Sequence, residues 1–103
     1  MKVDADLNLD EIDRMIHEPA RLAIIVYLSI LREADFTYLL HKTKLSRGNL
    51  SVQLTRLEEA GYIETEKTFV KRVPRTMVTL TDKGKKALAL YKDKLRSILE
   101  TTC

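Results

Sequence analysis

Between Ser46 and Ala60 the chain reads SRGNLSVQLTRLEEA, with its polar residues set opposite a leucine stripe. Leu50, Leu54 and Leu57 stand at i, i+4 and i+7, the spacing of one buried helix face. Asn49, Ser51, Val52, Thr55 and Arg56 then point away from that face, and Arg47 projects from the first turn. Arginine can fork onto guanine, asparagine can pair with adenine, and small or hydroxylated side chains allow close approach. The set therefore suits the base edges of a DNA major groove, which admits a helix of this size. Ser46 is a good N-cap, and the free amide groups of the first turn suit a phosphate. Acids come only at the far end, Glu58 and Glu59.

A second group follows close behind. Lys71, Arg72 and Arg75 lie between two extended stretches, with no acid in that loop to pair them. Such a cluster repels itself unless an anion arrives. Each feature alone is ordinary, since any surface helix shows a polar face and most basic loops are simply solvated. A polar helix followed at once by a basic hairpin that reaches phosphates or the minor groove is a more specific combination.

The elements that must hold these residues can be read from pattern. Asn8, with Glu11 three residues later, starts a short helix bearing Ile12, Met15 and Ile16. Glu18-Pro19 interrupts it, and Pro19 opens a second helix to about Arg32 that is apolar nearly all round. Ala34–Phe36 is a short edge strand. Thr37 caps a helix ending near Thr43 or Lys44, and Ser46 caps the next, which Gly61 stops. Residues 62–70 and 76–80 form antiparallel strands around a tip at 71–75, where Pro74 is tolerated as it would not be in a central strand. Thr81 caps a last helix through about Glu100, which carries Leu88, Leu90, Tyr91, Leu95, Ile98 and Leu99. Gly84 in its first turn weakens it by about 1 kcal/mol against alanine.

With 103 residues, 45% of them hydrophobic, the chain is expected to be one domain spanning residues 1–103 with a real core. A net charge of +3 says little, but its distribution says more. Residues 1–40 hold eight acids and four bases, whereas residues 67–96 hold ten bases and two acids, so the C-terminal half builds an electropositive face. The run Leu22–Leu31 is about half a membrane span, and the acidic N-terminus lacks a secretory core, which predicts a cytoplasmic protein with no membrane partner.

These segments resemble a known family. LSRGNLSVQLTRLEEAGYIETEK is similar to the recognition helix and first wing strand of MarR- and ArsR-like winged helix-turn-helix regulators. RVPRTMVTLTDKGKKAL resembles their second wing strand and the Leu-Thr-x-x-Gly pattern opening the next helix, and PARLAIIVYL the helix before the helix-turn-helix. The likeness covers about residues 19–90. It implies a mainly α fold with a small β-hairpin wing, and a role in transcription regulation, with repression favoured. Helix 46–60 would enter the major groove and wing 69–76 would meet the backbone or minor groove. The resemblance implies base contacts from Arg47, Asn49, Ser51, Val52 and Arg56, and backbone contacts from Gln53, Lys71, Arg72 and Arg75; Ser46 and Thr55 belong to the same surface. It also implies a homodimer through the terminal helices, here Ile12, Ile16, Leu88, Tyr91, Leu95, Ile98 and Leu99.

Other chemistry finds no support in the sequence. It shows no glycine-rich phosphate loop, no nucleophile with an evident base, and no paired cysteines for a metal sensor. His17 and His41 are read as ordinary histidines, Cys103 as an exposed thiol, and Asp10, Glu11 and Asp13 as a solvated acidic face. No cofactor or metal is expected, and the sequence names no effector. The competing readings are an interaction module of a larger assembly and a nonspecific DNA-coating protein. The first need keep neither the basic wing nor the polar helix face, and the second needs little beyond cations.

Overall fold

Pro19 sets the first helix. Its ring fixes a helical φ and lacks an N–H that would have no partner in the first turn. The Glu18 side chain caps the same turn by accepting from the Arg21 N–H at 2.9 Å. In a computed structural model that describes residues 11–101, this helix α1 runs Pro19–Leu31. Strand β1 (Glu33–Asp35), helices α2 (Phe36–Thr43) and α3 (Arg47–Glu59), strands β2 (Ile63–Val70) and β3 (Val73–Leu80), and helix α4 (Asp82–Thr101) follow.

The strands form one antiparallel sheet in the order β1-β3-β2. Ala34 lies opposite Val78 on one side of β3, and Thr65 opposite the same residue on the other. Ile24, Ile25 and Leu28 of α1 are fully buried with Leu39 of α2, Leu50 and Leu57 of α3, and Ile63 and Val78 of the sheet. Each such side chain contributes roughly 1.5–3 kcal/mol by leaving water. α1 is thus the central post on which α2, α3 and the sheet stand.

Several boundaries differ from expectation. Glu11 is in a 3-10 helical turn, but residues 12–18 are turns and bends rather than helix, because Oδ1 of Asp13 accepts from the N–H groups of Met15 at 2.9 Å and Ile16 at 3.3 Å. The expected start at Asn8 lies outside the described residues, as does Cys103. α2 is capped by Asp35 and not by Thr37, since Asp35 Oδ1 takes the Tyr38 N–H at 2.7 Å. A carboxylate one residue before the helix outcompetes a hydroxyl inside it.

The hairpin is tighter than expected. Val70 pairs with Val73, leaving only Lys71 and Arg72 as the turn. Both have positive φ, at 52° and 69°, as the two-residue turn matching strand twist requires. Pro74 therefore sits within β3, opposite Phe69. It is tolerated because β1 reaches only Met77 to Thr79, so at Pro74 the strand has a neighbour on one side.

Gly61 ends α3 with φ 83°. Its N–H bonds to Glu58 O at 2.9 Å, and the Tyr62 N–H to Leu57 O at 3.0 Å, closing the helix before the chain turns into β2. Thr81 does cap α4: its Oγ1 accepts from the Gly84 N–H at 3.0 Å and donates to Gly61 O at 2.7 Å.

Candidate nucleic-acid interface

α3 is seated by its leucines and leaves the rest outside. Leu50, Leu54 and Leu57 are buried, whereas Arg47, Asn49, Ser51, Val52, Thr55 and Arg56 are exposed. Ser46 caps the helix by accepting the Asn49 N–H at 3.1 Å. No acid stands in the first turn, so its remaining amides keep their partial positive charge toward solvent. The Arg47 guanidinium lies 5.9 Å from the Phe36 ring centre, which holds a flexible cation near the start of the helix.

The wing faces the same way. Thr65, Lys67 and Thr76 join Ser51, Leu54, Thr55 and Glu58 of α3, with Phe36, around an open cleft of about 430 Å³. Thr65, Lys67 and Phe69 alternate along one face of β2, so Phe69 continues this side of the wing toward the tip. Its ring is 70% exposed, unusual for so large an apolar group. Lys71 and Arg72 complete the tip, both exposed.

Two expected site residues are placed differently from the sequence reading. Arg75 is neither in the turn nor without an acid: its Nη1 donates to Asp35 Oδ2 at 2.7 Å, and the two line a smaller hollow with Arg47 and Thr37. The pairing escaped the sequence because Asp35 is forty positions away. Gln53 is half-buried and points inward, its Oε1 accepting from Arg21 Nη1 at 2.7 Å and its Nε2 donating to Asn49 Oδ1 at 2.9 Å. Arg21, Lys67 and Phe69 were not singled out beforehand. An arginine inside the otherwise apolar PARLAIIVYL was the available signal for the first.

The residues assigned to a dimer contact divide. Ile12, Ile16, Leu88 and Tyr91 lie in this chain's own core, Leu95 and Ile98 are half-buried against it, and Leu99 is 59% exposed. Tyr91 also shares a 2.8 Å hydrogen bond with His17 Nδ1, which gives that histidine a structural task.

Comparison with known proteins bears on the same segments. The family described as a winged helix DNA-binding domain matches residues 20–99. The chain belongs to that family. It is similar to an uncharacterized protein of Methanocaldococcus jannaschii, 35% identical over 78 residues that cover 76% of this chain and 85% of the relative. A transcriptional regulator homologue from Pyrococcus horikoshii OT3 superposes with a TM-score of 0.79 at 28% identity, covering 97% of this chain and 96% of that one. A MarR family transcriptional regulator from Streptomyces coelicolor, solved in complex with DNA, has a TM-score of 0.62 at 23% identity, covering 99% of this chain and 70% of that one. At that identity the likeness is one of fold. The family makes this chain a winged helix DNA-binding protein, and its fold is shared with transcriptional regulators. Among the described residues no helix is long and apolar enough to cross a membrane.

Proposed function

We propose that the protein binds double-stranded DNA sequence-specifically as a homodimer and represses transcription, working in the cytoplasm without a cofactor. Helix 46–60 enters the major groove, where Arg47, Asn49, Ser51, Val52, Thr55 and Arg56 meet base edges. Lys71 and Arg72 reach the backbone or the adjacent minor groove. One observation carries this reading: Ser51 and Thr55 of α3 and Thr65, Lys67 and Thr76 of the wing border one cleft, with Lys71 and Arg72 exposed at the tip of the same wing. A DNA strand held there would have its bases on one side and its phosphates on the other.

A homodimer is supported by apolar surface away from that cleft. Ile30 is 71% exposed and Leu31 lies beside it at the end of α1, while α4 exposes Leu90 and Leu99. A partner covering α4 would set two α3 helices about one DNA turn apart and favour a pseudo-palindromic site.

The test is fluorescence anisotropy of labelled genomic fragments against random duplex over a salt series. Preference for particular fragments, with affinity falling steeply in salt, is the expected result. Equal binding to all duplexes would replace this reading with a coating protein. A folded sample that ignores DNA even at low salt would leave an interaction module instead.

A further inference from the structure

Resting on the reading of α3 as the helix in the major groove, we infer that buried Arg21 sets the chemical group Asn49 presents to the bases, making it a hydrogen-bond donor. Arg21 is the buried charged side chain among the described residues, 8% exposed. A guanidinium there needs its hydrogens taken up, and it has no atom that accepts. Nε donates to Met15 O at 2.7 Å, Nη2 faces Arg14 O at 3.5 Å, and Nη1 donates to Gln53 Oε1 at 2.7 Å. Glu18 Oε1 is also near, 3.9 Å from Nη1.

Polarity then passes outward without a choice at either step. Because Arg21 only donates, Gln53 must face it with oxygen, which turns Nε2 toward the helix surface. That nitrogen donates to Asn49 Oδ1 at 2.9 Å, so Asn49 must face inward with its own oxygen. The Nδ2 hydrogens are left for the groove. An asparagine free to rotate can bracket adenine with both amide atoms. This one has its oxygen drawn along the helix, and its outward preference is for an acceptor: purine N7, guanine O6 or thymine O4. Cytosine, which offers an N4 donor, is disfavoured. Arg21 and Gln53 are positioning residues here, and Asn49 is the reader.

The experiment uses the full chain on its selected site. Each base pair is replaced in turn by one offering cytosine to the reading helix, and each purine by its 7-deaza analogue. In the wild type one pair per half-site should lose about tenfold in affinity on losing its acceptor, and Asn49→Ala should abolish that difference. Gln53→Glu keeps an oxygen acceptor for Arg21 but has no hydrogen for Asn49, whose amide then turns over. Preference at that one pair should invert toward a donor, with other positions unchanged. Gln53→Met, which orients nothing, should reduce discrimination at that pair to within about twofold; it also takes an acceptor from Arg21, so its melting temperature should fall, and binding is read on a sample that circular dichroism shows to be folded. Arg21→Met is the direct variant, but a core change can unfold the protein, so the two Gln53 variants decide. If both keep the wild-type preference, or the Asn49-dependent pair favours cytosine in the wild type, this inference fails alone. If the wild type shows no base preference anywhere, the regulator reading fails and takes the inference with it.

Discussion

Asp35 holds Arg75 with one carboxylate oxygen and caps α2 with the other. Oδ2 accepts from Arg75 Nη1 at 2.7 Å, and Oδ1 accepts from the Tyr38 N–H at 2.7 Å. The wing strand is thereby tied to the start of the helix-turn-helix by one side chain. The ion pair is partly exposed and screened, so by itself it is worth at most about 1 kcal/mol, whereas loss of a cap costs about 1 kcal/mol more. Asp35→Ala should therefore lower stability in urea clearly more than Arg75→Ala. Equal losses would mean that the cap adds nothing.

Arg75 and the turn cations should also part company in DNA binding. Lys71→Ala and Arg72→Ala should each weaken binding to every sequence and lower the salt slope by about one. Arg75→Ala should leave the slope nearly unchanged, because its charge is already met by Asp35. Anisotropy at four salt concentrations distinguishes the cases, and a full unit of slope lost in Arg75→Ala would contradict the pairing.

The turn itself is strained. Lys71 and Arg72 both occupy positive φ, a region that costs a side-chain-bearing residue roughly 1–2 kcal/mol. Asparagine and glycine adopt it readily. The double change Lys71→Asn with Arg72→Gly should raise stability by on the order of 1 kcal/mol while weakening DNA binding. A variant that is stabler and binds equally well would remove the tip from the interface.

Gly84 offers a test in the opposite sense. Alanine should gain about 1 kcal/mol in a helix, yet a Cβ there would stand 2.3 Å from Tyr62 O and 2.7 Å from Leu80 Cδ1. The nearer atom is backbone and cannot swing aside. Gly84→Ala should lower the melting temperature, with a cost of about 1–3 kcal/mol for the forced shift. Unchanged or higher stability would mean that α4 does not approach the sheet so closely.

Tyr62 should titrate late. Partial burial first, then its hydrogen bond to Asp13 and that carboxylate's charge, push its pKa from 10.0 to about 12. Ionisation is harder folded than unfolded, so the stabilisation is fully present below pH 10.0 and is lost as pH rises toward about 12. Absorbance titration should show a tyrosine step near pH 12, and Tyr62→Phe should remove that late step. A Tyr62→Phe titration curve that still contains the late step would assign it elsewhere.

Local signals located most of the fold. The leucine stripe placed α3, Ser46 and Gly61 marked its ends, and Thr81 marked the start of α4. Each depends on neighbours within a few positions, so sequence exposes them. The misses involve distance. Asp35 took the cap from Thr37 and the charge of Arg75 together, and that second task is visible only once β1 lies against β3. Gly84 looked like a weakness in its helix, because the carbonyl it makes room for belongs to a residue across the fold. Residues 12–18 carried a helical pattern, but Asp13 satisfied the local amides first. Outward residues of α3 were legible as a face; that Gln53 leans inward required Arg21 in place.

The leucines that seat α3 and the side chains that look outward from it are separate sets. A lineage could therefore exchange Ser51, Val52 or Arg56 and acquire a new target while its folding free energy hardly moved. Gln53 is the exception, since one side chain serves the interior through Arg21 and the surface through Asn49. Drift at that position would alter recognition and stability in the same step, so viable descendants should change Arg21 and Gln53 as a pair, or neither.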